Sequence, residues 1–379
     1  MLSGKLRMAE RRNYDVRVMT VLGTRPEIIR LSLIIGKLDR LAASHVLVHT
    51  GQNYTASLND VFFEEMGIRK PDHIMSGGSH SLGGQLSLMF GEMERLLRLE
   101  KPDVVLLLGD TNSALCAIVA ERMGIPVVHM EAGNRCYDLT VPEEKNRRII
   151  DSVSTINMPY TEYSKSNLLR EGFPANRIVR TGNPIHEVME HYKDRIAASR
   201  ILERLGLLEK EYVLVTTHRA ENVDVPAHLD GILEGLNLIA DRSGKRLVCS
   251  IHPRTRFRIE SGGTAVSPHP LVEFHEPFGF FDFVRLEQSA WCAVSDSGTV
   301  QEECCLLGVP TVTIRNTTER PETVDCGSNA VSGLRAGNIA DAVEIMTSLP
   351  PSWTIPAGYQ SPDVSDIVVK YLLGGKWNV

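Results

Sequence analysis

The chain has 379 residues, of which 42% are apolar, 23% charged and 6% aromatic, and its net charge is −6. This length exceeds one ordinary hydrophobic core and predicts two domains. The average composition excludes a fibrous or disordered chain, and the acidic balance excludes a general nucleic-acid binder, which needs a positive surface.

The ends and the cysteines point to an ordinary cytoplasmic protein. Residues 1–15 are charged and lack the apolar centre of a signal peptide, so we interpret them as a loose extension. No run of about 18 apolar residues predicts a membrane span. The seven cysteines show no CxxC spacing, which favours buried thiols over disulfides, and no metal-ligand spacing is present.

Short apolar, β-branched runs alternate with longer amphipathic stretches along the chain. Continuous apolar runs separated by helical patterns are typical of parallel strands in βα units. Two such series predict an α/β fold with two doubly wound, Rossmann-like sheets. The predicted strands are 16–23, 45–51, 104–110 and 126–133 in the first series, and 212–218, 246–252, 271–276, 292–298 and 311–315 in the second.

A segment rich in Pro, Gly and Asn, residues 171–192, separates the two series. We therefore predict an N-terminal domain at 1–183 and a C-terminal domain at 184–362. Ligands of open parallel sheets bind beyond the carboxyl ends of the strands. Nearly every predicted strand here ends in polar or charged residues, so a cleft between the domains is the expected site.

The first strand is followed by Gly23-Thr24-Arg25-Pro26-Glu27. The glycine permits a tight turn, and proline suits the first position of a helix. Arg25 then offers a fixed cation to a phosphate. The alternative is a surface Arg–Glu pair that caps a helix.

Another strand leads through Ser295-Asp296-Ser297-Gly298-Thr299 into a helix. Small residues at a helix start expose backbone N–H groups, and the helix dipole adds positive potential, which predicts a diphosphate site. Glu303, about a turn and a half further, is placed to accept hydrogen bonds from ribose hydroxyls. The alternative is ordinary N-capping by serine.

Two further segments, 218–222 and 318–322, place cationic or titratable groups at strand ends. His218 lies next to an arginine, and Arg320 belongs to the second segment. A single histidine is more often structural than catalytic, but a position at a strand end favours a role in a site.

Three carboxylates concentrate in the first half of the chain: Asp110, Glu131 and Glu143. The first two end consecutive strands, so we expect them in one cleft together with Glu143 from the following loop. Grouped carboxylates shift one another's pKa values and provide both an acid and a base. Arg135 and Arg147 are candidates to balance their charge; the alternative is a set of exposed charges at strand ends.

Taken in order, these motifs resemble the non-hydrolysing UDP-N-acetylglucosamine 2-epimerases. The resemblance covers most of the chain, from about Val16 to Gly333. The motifs that carry it are GTRPE, HTGQN, PDVVLLLGDT, HMEAGNR, PEEKNRRIID, TGNP, HRAEN, SDSGTVQEE and TERPE.

The resemblance implies a glycosyltransferase-B type fold whose C-terminal helix, here within 363–379, returns to the first domain. It also implies a reaction without a cofactor, in which UDP leaves C1 as the C2 proton is lost, and UDP re-adds to the bound glycal after a proton returns to the opposite face. Retention of both intermediates requires a closing cleft. A homodimer and a place in surface-polysaccharide biosynthesis are also implied.

The family's functional residues match positions of this sequence one by one. Asp110, Glu131 and Glu143 match the catalytic carboxylates, without a distinction between acid and base, and His218 is assigned to both catalysis and UDP binding. Arg147 matches a further arginine of the active site. The remaining residues that match UDP contacts are Arg25, Arg30, Ser297, Gly298, Thr299, Glu303 and Arg320.

Several positions depart from the family pattern. Arg30 replaces a common lysine, Thr299 replaces a glycine, and the loop from Glu131 to Glu143 is shorter than usual. Asn53 and Ala220 replace a His and an Arg that bind a second, activating UDP-N-acetylglucosamine in bacterial members. The resemblance therefore does not extend to allosteric activation.

The motif variants resemble most closely a branch that acts on modified UDP-2-acetamido sugars, such as 6-deoxy sugars or 2,3-diacetamido glucuronates. Three other functions remain open at this stage: a glycosyltransferase of the same fold, a hydrolysing epimerase, and a nucleotide-sugar sensor without activity. The three carboxylates favour epimerisation, because a retaining transferase has little use for an acid/base cluster on the first half.

Overall fold

The computed structural model describes residues 14–52, 56–75, 81–251, 253–260, 263–375 and 377, and within these ranges it leaves out the side chains of 56–60, 220, 253, 254 and 260. Two compact units make up the chain. The first unit comprises residues up to Met130 together with Arg148–Met158 and Asp363–Val379, and the second comprises Glu131–Arg147 and Pro159–Pro362.

Each unit contains one parallel sheet, which has six strands within the described residues. The order is β3-β2-β1-β4-β5-β6 in the first and β12-β11-β10-β7-β8-β9 in the second. Both follow the Rossmann arrangement, in which the first strand lies at the centre and the chain winds outward twice. The strands are β1 Tyr14–Leu22, β2 Ala42–His49, β3 His73–Ile74, β4 Val104–Leu108, β5 Val127–Met130, β6 Ile156–Met158, β7 Tyr212–Thr217, β8 Arg246–Ile251, β9 Val272–His275, β10 Cys292–Ser295, β11 Thr311–Thr313 and β12 Asn329–Val331.

Helices connect the strands, as parallel neighbours require. The α-helices are α1 Arg25–Leu41, α2 Ala56–Glu65, α3 Leu82–Glu100, α4 Cys116–Arg122, α5 Pro142–Val153, α6 Glu162–Arg170, α7 Pro184–His191, α8 Lys193–Ala197, α9 Ile201–Leu205, α10 Ala220–Val223, α11 Pro226–Ser243, α12 Pro253–Glu260, α13 Phe280–Ser289, α14 Gly298–Leu307, α15 Pro321–Asp325, α16 Ala336–Thr347 and α17 Val364–Leu373, and 3₁₀ turns cover Asn112–Leu115 and Ala175–Arg177.

The predicted fold class is confirmed, and all nine predicted strands are present. Three further strands, β3, β6 and β12, were not predicted, and they have only two or three residues each. All three lie at sheet edges. Runs this short carry too little apolar periodicity to stand out from loops.

Both faces of the second sheet are buried. Val213 and Val215 pack into a core with α11 and α16, whereas Tyr212 and Leu214 pack into another core with α13 and α14. Successive side chains of a strand point to opposite faces, so a strand covered on both sides needs apolar residues throughout. This explains why these strands are continuous apolar runs rather than alternating ones.

The last helix, α17, belongs to the first unit, where it contacts α1 and β1. Lys37 of α1 donates to Ser365 and forms an ion pair with Asp366, both at 2.6 Å. Through these two contacts, Lys37 attaches α17 to α1 of the first unit.

The domain boundary between residues 183 and 184 stays a prediction. Along the chain, the last strand of the first sheet ends at Met158 and the first strand of the second sheet begins at Tyr212. The predicted boundary lies between these two residues. Close contacts, however, group Glu131–Arg147 and Pro159–Asn183 with the second unit. The boundary by sheets and the boundary by contacts therefore fall at different residues.

All seven cysteines are free thiols, six buried and Cys326 half-buried, as the sequence analysis expected. Within the described ranges, no helix combines the length and the apolar character that a membrane crossing needs.

Glu27 closes the turn between β1 and α1. It is buried, its Oε2 accepts the backbone N–H of Thr24 at 2.8 Å, and its Oε1 accepts the hydroxyl of Thr111 at 2.7 Å. Burial raises the pKa of Glu27 to about 7; the hydrogen bonds from Thr111, Gly23 and Thr24 oppose this rise, and the charge of Asp110 adds to it. Glu27 therefore caps the helix, but it is not the surface partner of an arginine.

The raised pKa of Glu27 predicts a pH-dependent stability. Between pH 4.5 and about 7 the folded protein keeps a proton that the unfolded chain releases, so stability is lost as pH rises through this window. Glu27→Gln removes the titrating group. We expect the wild type to lose up to about 3 kcal/mol of unfolding free energy relative to the variant between pH 4.5 and 8. Urea unfolding at several pH values checks this, and a difference independent of pH would contradict it.

Candidate active site

In the first unit, Arg25 opens α1 directly after the β1 turn. Its side chain is half-buried, and its guanidinium lies 5.6 Å from the centre of the Phe62 ring. Burial lowers the pKa of Arg25. A guanidinium nevertheless stays protonated in proteins, so Arg25 is charged. Among the residues that the structure describes, no carboxylate forms an ion pair with it. A half-buried cation in this state is suited to an anionic ligand.

Asp110 and the Arg25 turn lie together at the carboxyl end of the first sheet. Glu27 links them, because it accepts a hydrogen bond from Thr111, the residue after Asp110, and because the charge of Asp110 raises the pKa of Glu27. Arg30, the other cation predicted in this region, is a buried residue of α1 that is 2% exposed. The first unit thus contains three of the predicted site residues, Arg25, Arg30 and Asp110.

Glu131 follows β5 and belongs to the second unit. Its φ angle is 69°, in the left-handed region that side chains normally avoid. Arg320 donates to its Oε1 at 2.6 Å, and Asn134 donates to the same oxygen at 3.4 Å. Strained backbone of this kind occurs where the surrounding structure fixes a functional side chain. The side chain of Glu131 pairs with Arg320 from this unusual backbone conformation.

Arg320 is a buried cation shared between carboxylates. Besides Glu131, its Nε donates to Glu302, and its Nη1 donates to the backbone carbonyl of Glu319 at 3.4 Å. Burial alone would lower the pKa of Arg320, but Glu302, Glu131 and Glu319 outweigh it and raise the pKa well above the usual value. Arg320 is therefore charged and fixed in position.

Glu319 lies at the centre of a cluster of arginines. Its carboxylate is 2.7 Å from Arg315, 3.6 Å from Arg219 and 3.7 Å from Arg147. Burial raises the pKa of Glu319, yet the arginines outweigh it and hold the pKa well below its usual range. Glu319 is thus a fixed negative charge that keeps several cations close together.

Two consecutive glutamates open α5 and have different environments. Glu144 is fully buried and accepts hydrogen bonds from Arg147 at 2.8 Å and from the backbone of Cys136 at 3.0 Å. Glu143 is half-buried, and its carboxylate lies 3.6 Å from Arg219. Of the pair, Glu144 anchors the helix, whereas Glu143 remains accessible to a ligand.

His218 follows β7 and is oriented by Asp296, which follows β10. The Nδ1 of His218 lies 3.1 Å from the carboxylate of Asp296, which also accepts the backbone N–H groups of His218 and Arg219. Asp296 is fully buried, whereas the His218 side chain is 52% exposed. Burial raises the pKa of Asp296, but His218 and Arg219 outweigh it and lower the pKa. With Nδ1 engaged, Nε2 is the nitrogen that remains for a ligand.

Helix α14 begins directly after this aspartate. Ser297 is its N-cap, but the serine side chain makes no cap hydrogen bond, so ordinary serine capping does not describe this residue. A Cβ on Gly298 would lie 2.6 Å from Oε1 of Glu319 and 3.7 Å from the guanidinium carbon of Arg320. The start of α14, with Thr299 in its first turn, therefore lies directly against Arg320 and Glu319.

Glu303 is buried one and a half turns into α14, 3% exposed. Its neighbour Glu287 of α13 is fully buried, and burial together with Glu303 raises the pKa of Glu287 well above the usual value. The raised pKa favours the protonated form of Glu287, which reduces the negative charge beside Glu303.

Ion pairs join four of the nine predicted site residues of the second unit to five further charged residues. They form two sets, which the hydrogen bond from Arg320 to the backbone carbonyl of Glu319 connects, and we term the whole the arginine–glutamate network. Four of its members were predicted, and of the other five all but Arg315 lie within the same motifs. A charged residue within a motif does not show which charge it pairs with, whether the partner is close in the chain or distant. The network comprises Glu131, Glu143, Glu144, Arg147, Arg219, Glu302, Arg315, Glu319 and Arg320.

Some predictions are not tested by this geometry. The approach of Asp110 to Glu131 and Glu143 and the central cleft stay predictions. Asn53 lies outside the described residues, as does the side chain of Ala220. Arg135, a candidate to balance the carboxylates, instead pairs with Glu171 at 2.6 Å. Within the described part of the chain, no three His, Cys, Asp or Glu residues are grouped to hold a metal ion.

Comparisons with known proteins identify the family of the chain. Residues 37–372 match the family described as UDP-N-acetylglucosamine 2-epimerase. The UDP-N-acetylglucosamine 2-epimerase of Methanocaldococcus jannaschii is 38% identical over 96% of this chain and all of that protein. The UDP-2,3-diacetamido-2,3-dideoxy-D-glucuronate 2-epimerase of Pseudomonas aeruginosa is 36% identical over 86% of this chain and 91% of that protein.

The structures are also similar. A crystal structure of the M. jannaschii enzyme in complex with UDP-GlcNAc and UDP has a TM-score of 0.89 and covers 94% of this chain and 99% of that chain. Identity of this degree over nearly the whole length, together with the matched fold, exceeds what a shared architecture alone produces. The chain belongs to the UDP-N-acetylglucosamine 2-epimerase family.

Proposed function

We propose that this protein inverts C2 of a UDP-2-acetamido sugar without hydrolysing it. The observation that carries the proposal is the ion pair of Glu131 with Arg320, which lies against the start of α14. An acid/base carboxylate and a cationic diphosphate site therefore share one buried guanidinium. Family membership supports the same activity.

The reaction runs by elimination and re-addition. A carboxylate takes the C2 proton as the C1–O bond to UDP breaks, and the product is a glycal. A second carboxylate returns a proton to the opposite face of C2, and UDP re-adds at C1. Asp110, Glu131 and Glu143 supply these carboxylates.

The groups around the diphosphate lower the barrier to its departure. Arg25, His218 and Arg320 offer cationic or N–H donors, and the start of α14 adds backbone N–H groups and the helix dipole. Glu303 accepts hydrogen bonds from the ribose. Because Arg320 and His218 are already oriented by buried carboxylates, little reorganisation accompanies the development of charge.

The loop after Glu131 is the part of the site that selects the sugar. Tyr137 and Leu139 are 58% and 54% exposed, and Tyr137 has a φ angle of 59°. The Tyr137 hydroxyl donates to Asn167 at 2.9 Å, which fixes the loop locally. The candidate substrates are UDP-N-acetylglucosamine and modified UDP-2-acetamido sugars. The name of the P. aeruginosa relative, an epimerase of a UDP-2,3-diacetamido sugar, supports the second group.

A homodimer, a cytoplasmic location and a role in surface-polysaccharide biosynthesis stay predictions for this chain. They rest on the resemblance of the sequence to the family.

Incubation with a panel of UDP-2-acetamido sugars in deuterated water tests the function directly. We expect one sugar to equilibrate with its C2 epimer, and both epimers to gain deuterium at C2, because the proton exchanges with solvent during the reaction. NMR at C2 measures this. Release of a free sugar together with UDP would indicate hydrolysis instead, and retention of the original hydrogen in the epimer would contradict the mechanism.

Replacement of the carboxylates tests their role. Asp110→Asn, Glu131→Gln and Glu143→Gln should each lower turnover about 10²–10⁴-fold, the usual loss for a general acid or base. UDP affinity, measured by calorimetry, should change little for Asp110→Asn and Glu143→Gln. Unchanged turnover in all three variants would remove the carboxylates from the mechanism.

Gly298→Ala tests the start of α14 as the diphosphate site. The added Cβ would meet Glu319 at 2.6 Å and disturb the groups around Arg320. We expect UDP binding to weaken about 10-fold, which corresponds to about 1.4 kcal/mol. Gly337→Ala, in open space near the start of α16, is the matched control and should leave binding unchanged. Equal affinities for the two variants would argue against this site.

A further inference from the structure

A buried histidine beside the Asp110 turn has no part in the mechanism described so far. His129 of β5 is 1% exposed and lies between two oxygen acceptors. Its Nδ1 is 2.9 Å from the carboxylate of Asp151, a fully buried residue of α5, and its Nε2 is 2.8 Å from the carbonyl oxygen of Gly109. All of these residues belong to the first unit.

The two acceptors determine where the ring protons lie. A carbonyl oxygen only accepts, so Nε2 of His129 carries a hydrogen and donates it to Gly109. At 2.9 Å the other nitrogen and Asp151 share a second proton, which belongs either to an imidazolium or to a neutral carboxylic acid. The pair is neutral overall in both forms, which suits its complete burial.

Gly109 directly precedes Asp110, so its polar groups decide how that side chain leaves the sheet. Its φ angle is 82°, which a residue with a side chain adopts only with strain. Its N–H donates to the carbonyl of Met130 at 3.1 Å, and its carbonyl accepts from His129. Because the peptide group is planar, the bond from His129 fixes the rotation of the plane that leads to Asp110.

We infer that His129 and Asp151 are positioning residues that orient Asp110 through the carbonyl of Gly109. Asp151 holds the imidazole in place, and the imidazole holds the peptide between Gly109 and Asp110. The inference rests on the proposed function, since it assigns the pair to a carboxylate of that mechanism. Without the pair, the peptide is free to rotate and Asp110 leaves its productive position.

Substitution of His129 separates this role from general stability. His129→Leu removes the donor to Gly109, whereas His129→Gln places an amide N–H near the position of Nε2. We expect kcat to fall about 10²-fold in the leucine variant, as misplacement by about 1 Å can produce, with KM and UDP affinity within about 3-fold of wild type. The glutamine variant should recover most of this loss.

His45→Leu is the matched control. His45 is also buried in the first sheet, where it lies 2.6 Å from Asp39 and 2.9 Å from Thr20. In the sheet, His45 lies opposite Val18 of β1, and Val18 lies opposite Val104, the first residue of β4. His45 is therefore at the edge of the sheet where β4 begins, whereas Asp110 follows the end of β4. We expect His45→Leu to lower the melting temperature about as much as His129→Leu, but to keep kcat within about 2-fold of wild type.

The outcomes separate this inference from the proposed function. An active wild type with an unimpaired His129→Leu variant would overturn the inference alone, as would equal kcat losses for His129→Leu and His45→Leu. A wild type that epimerises no UDP-2-acetamido sugar would overturn the proposed function. In that case a crystal structure of His129→Leu decides: a rotated peptide between Gly109 and Asp110 supports the inference, and an unchanged one overturns it.

Discussion

The ion pair between Arg320 and Glu131 is the interaction on which the site depends. A buried guanidinium is stable only when carboxylates compensate for its lost hydration, and Arg320 has Glu131 and Glu302 as partners. Glu131 makes this contact from a left-handed backbone conformation. Removal of either carboxylate would leave a buried charge with incomplete compensation.

The arginine–glutamate network explains how several cations are kept close together before an anion binds. Like charges at this separation repel, and Glu319 offsets the repulsion between Arg147, Arg219 and Arg315. The network therefore holds positive groups in fixed positions at the start of α14. Such preorganisation favours the stabilisation of negative charge that develops on a departing diphosphate.

Much of the fold and part of the site could be predicted from the sequence. The central strands are long apolar runs, and the residues that follow them are chemically distinctive, so Glu131, Glu143 and Arg320 were found. Edge strands of two or three residues have no such signal. Glu144 pairs with Arg147 of its own helix, whereas Glu143 lies near Arg219 of a distant segment, and the sequence of the motif does not distinguish the two glutamates. The surface Arg–Glu pair that was left as an alternative for the turn after β1 does not describe Glu27, which is buried.

A crystal structure of the protein with UDP tests the central claim most directly. We expect the diphosphate to contact Arg320 and the backbone N–H groups at the start of α14. We also expect Arg320 to keep its bond to Glu131 and the ribose to lie against Glu303. UDP bound away from α14, or bound there with Glu131 turned away from Arg320, would contradict the account.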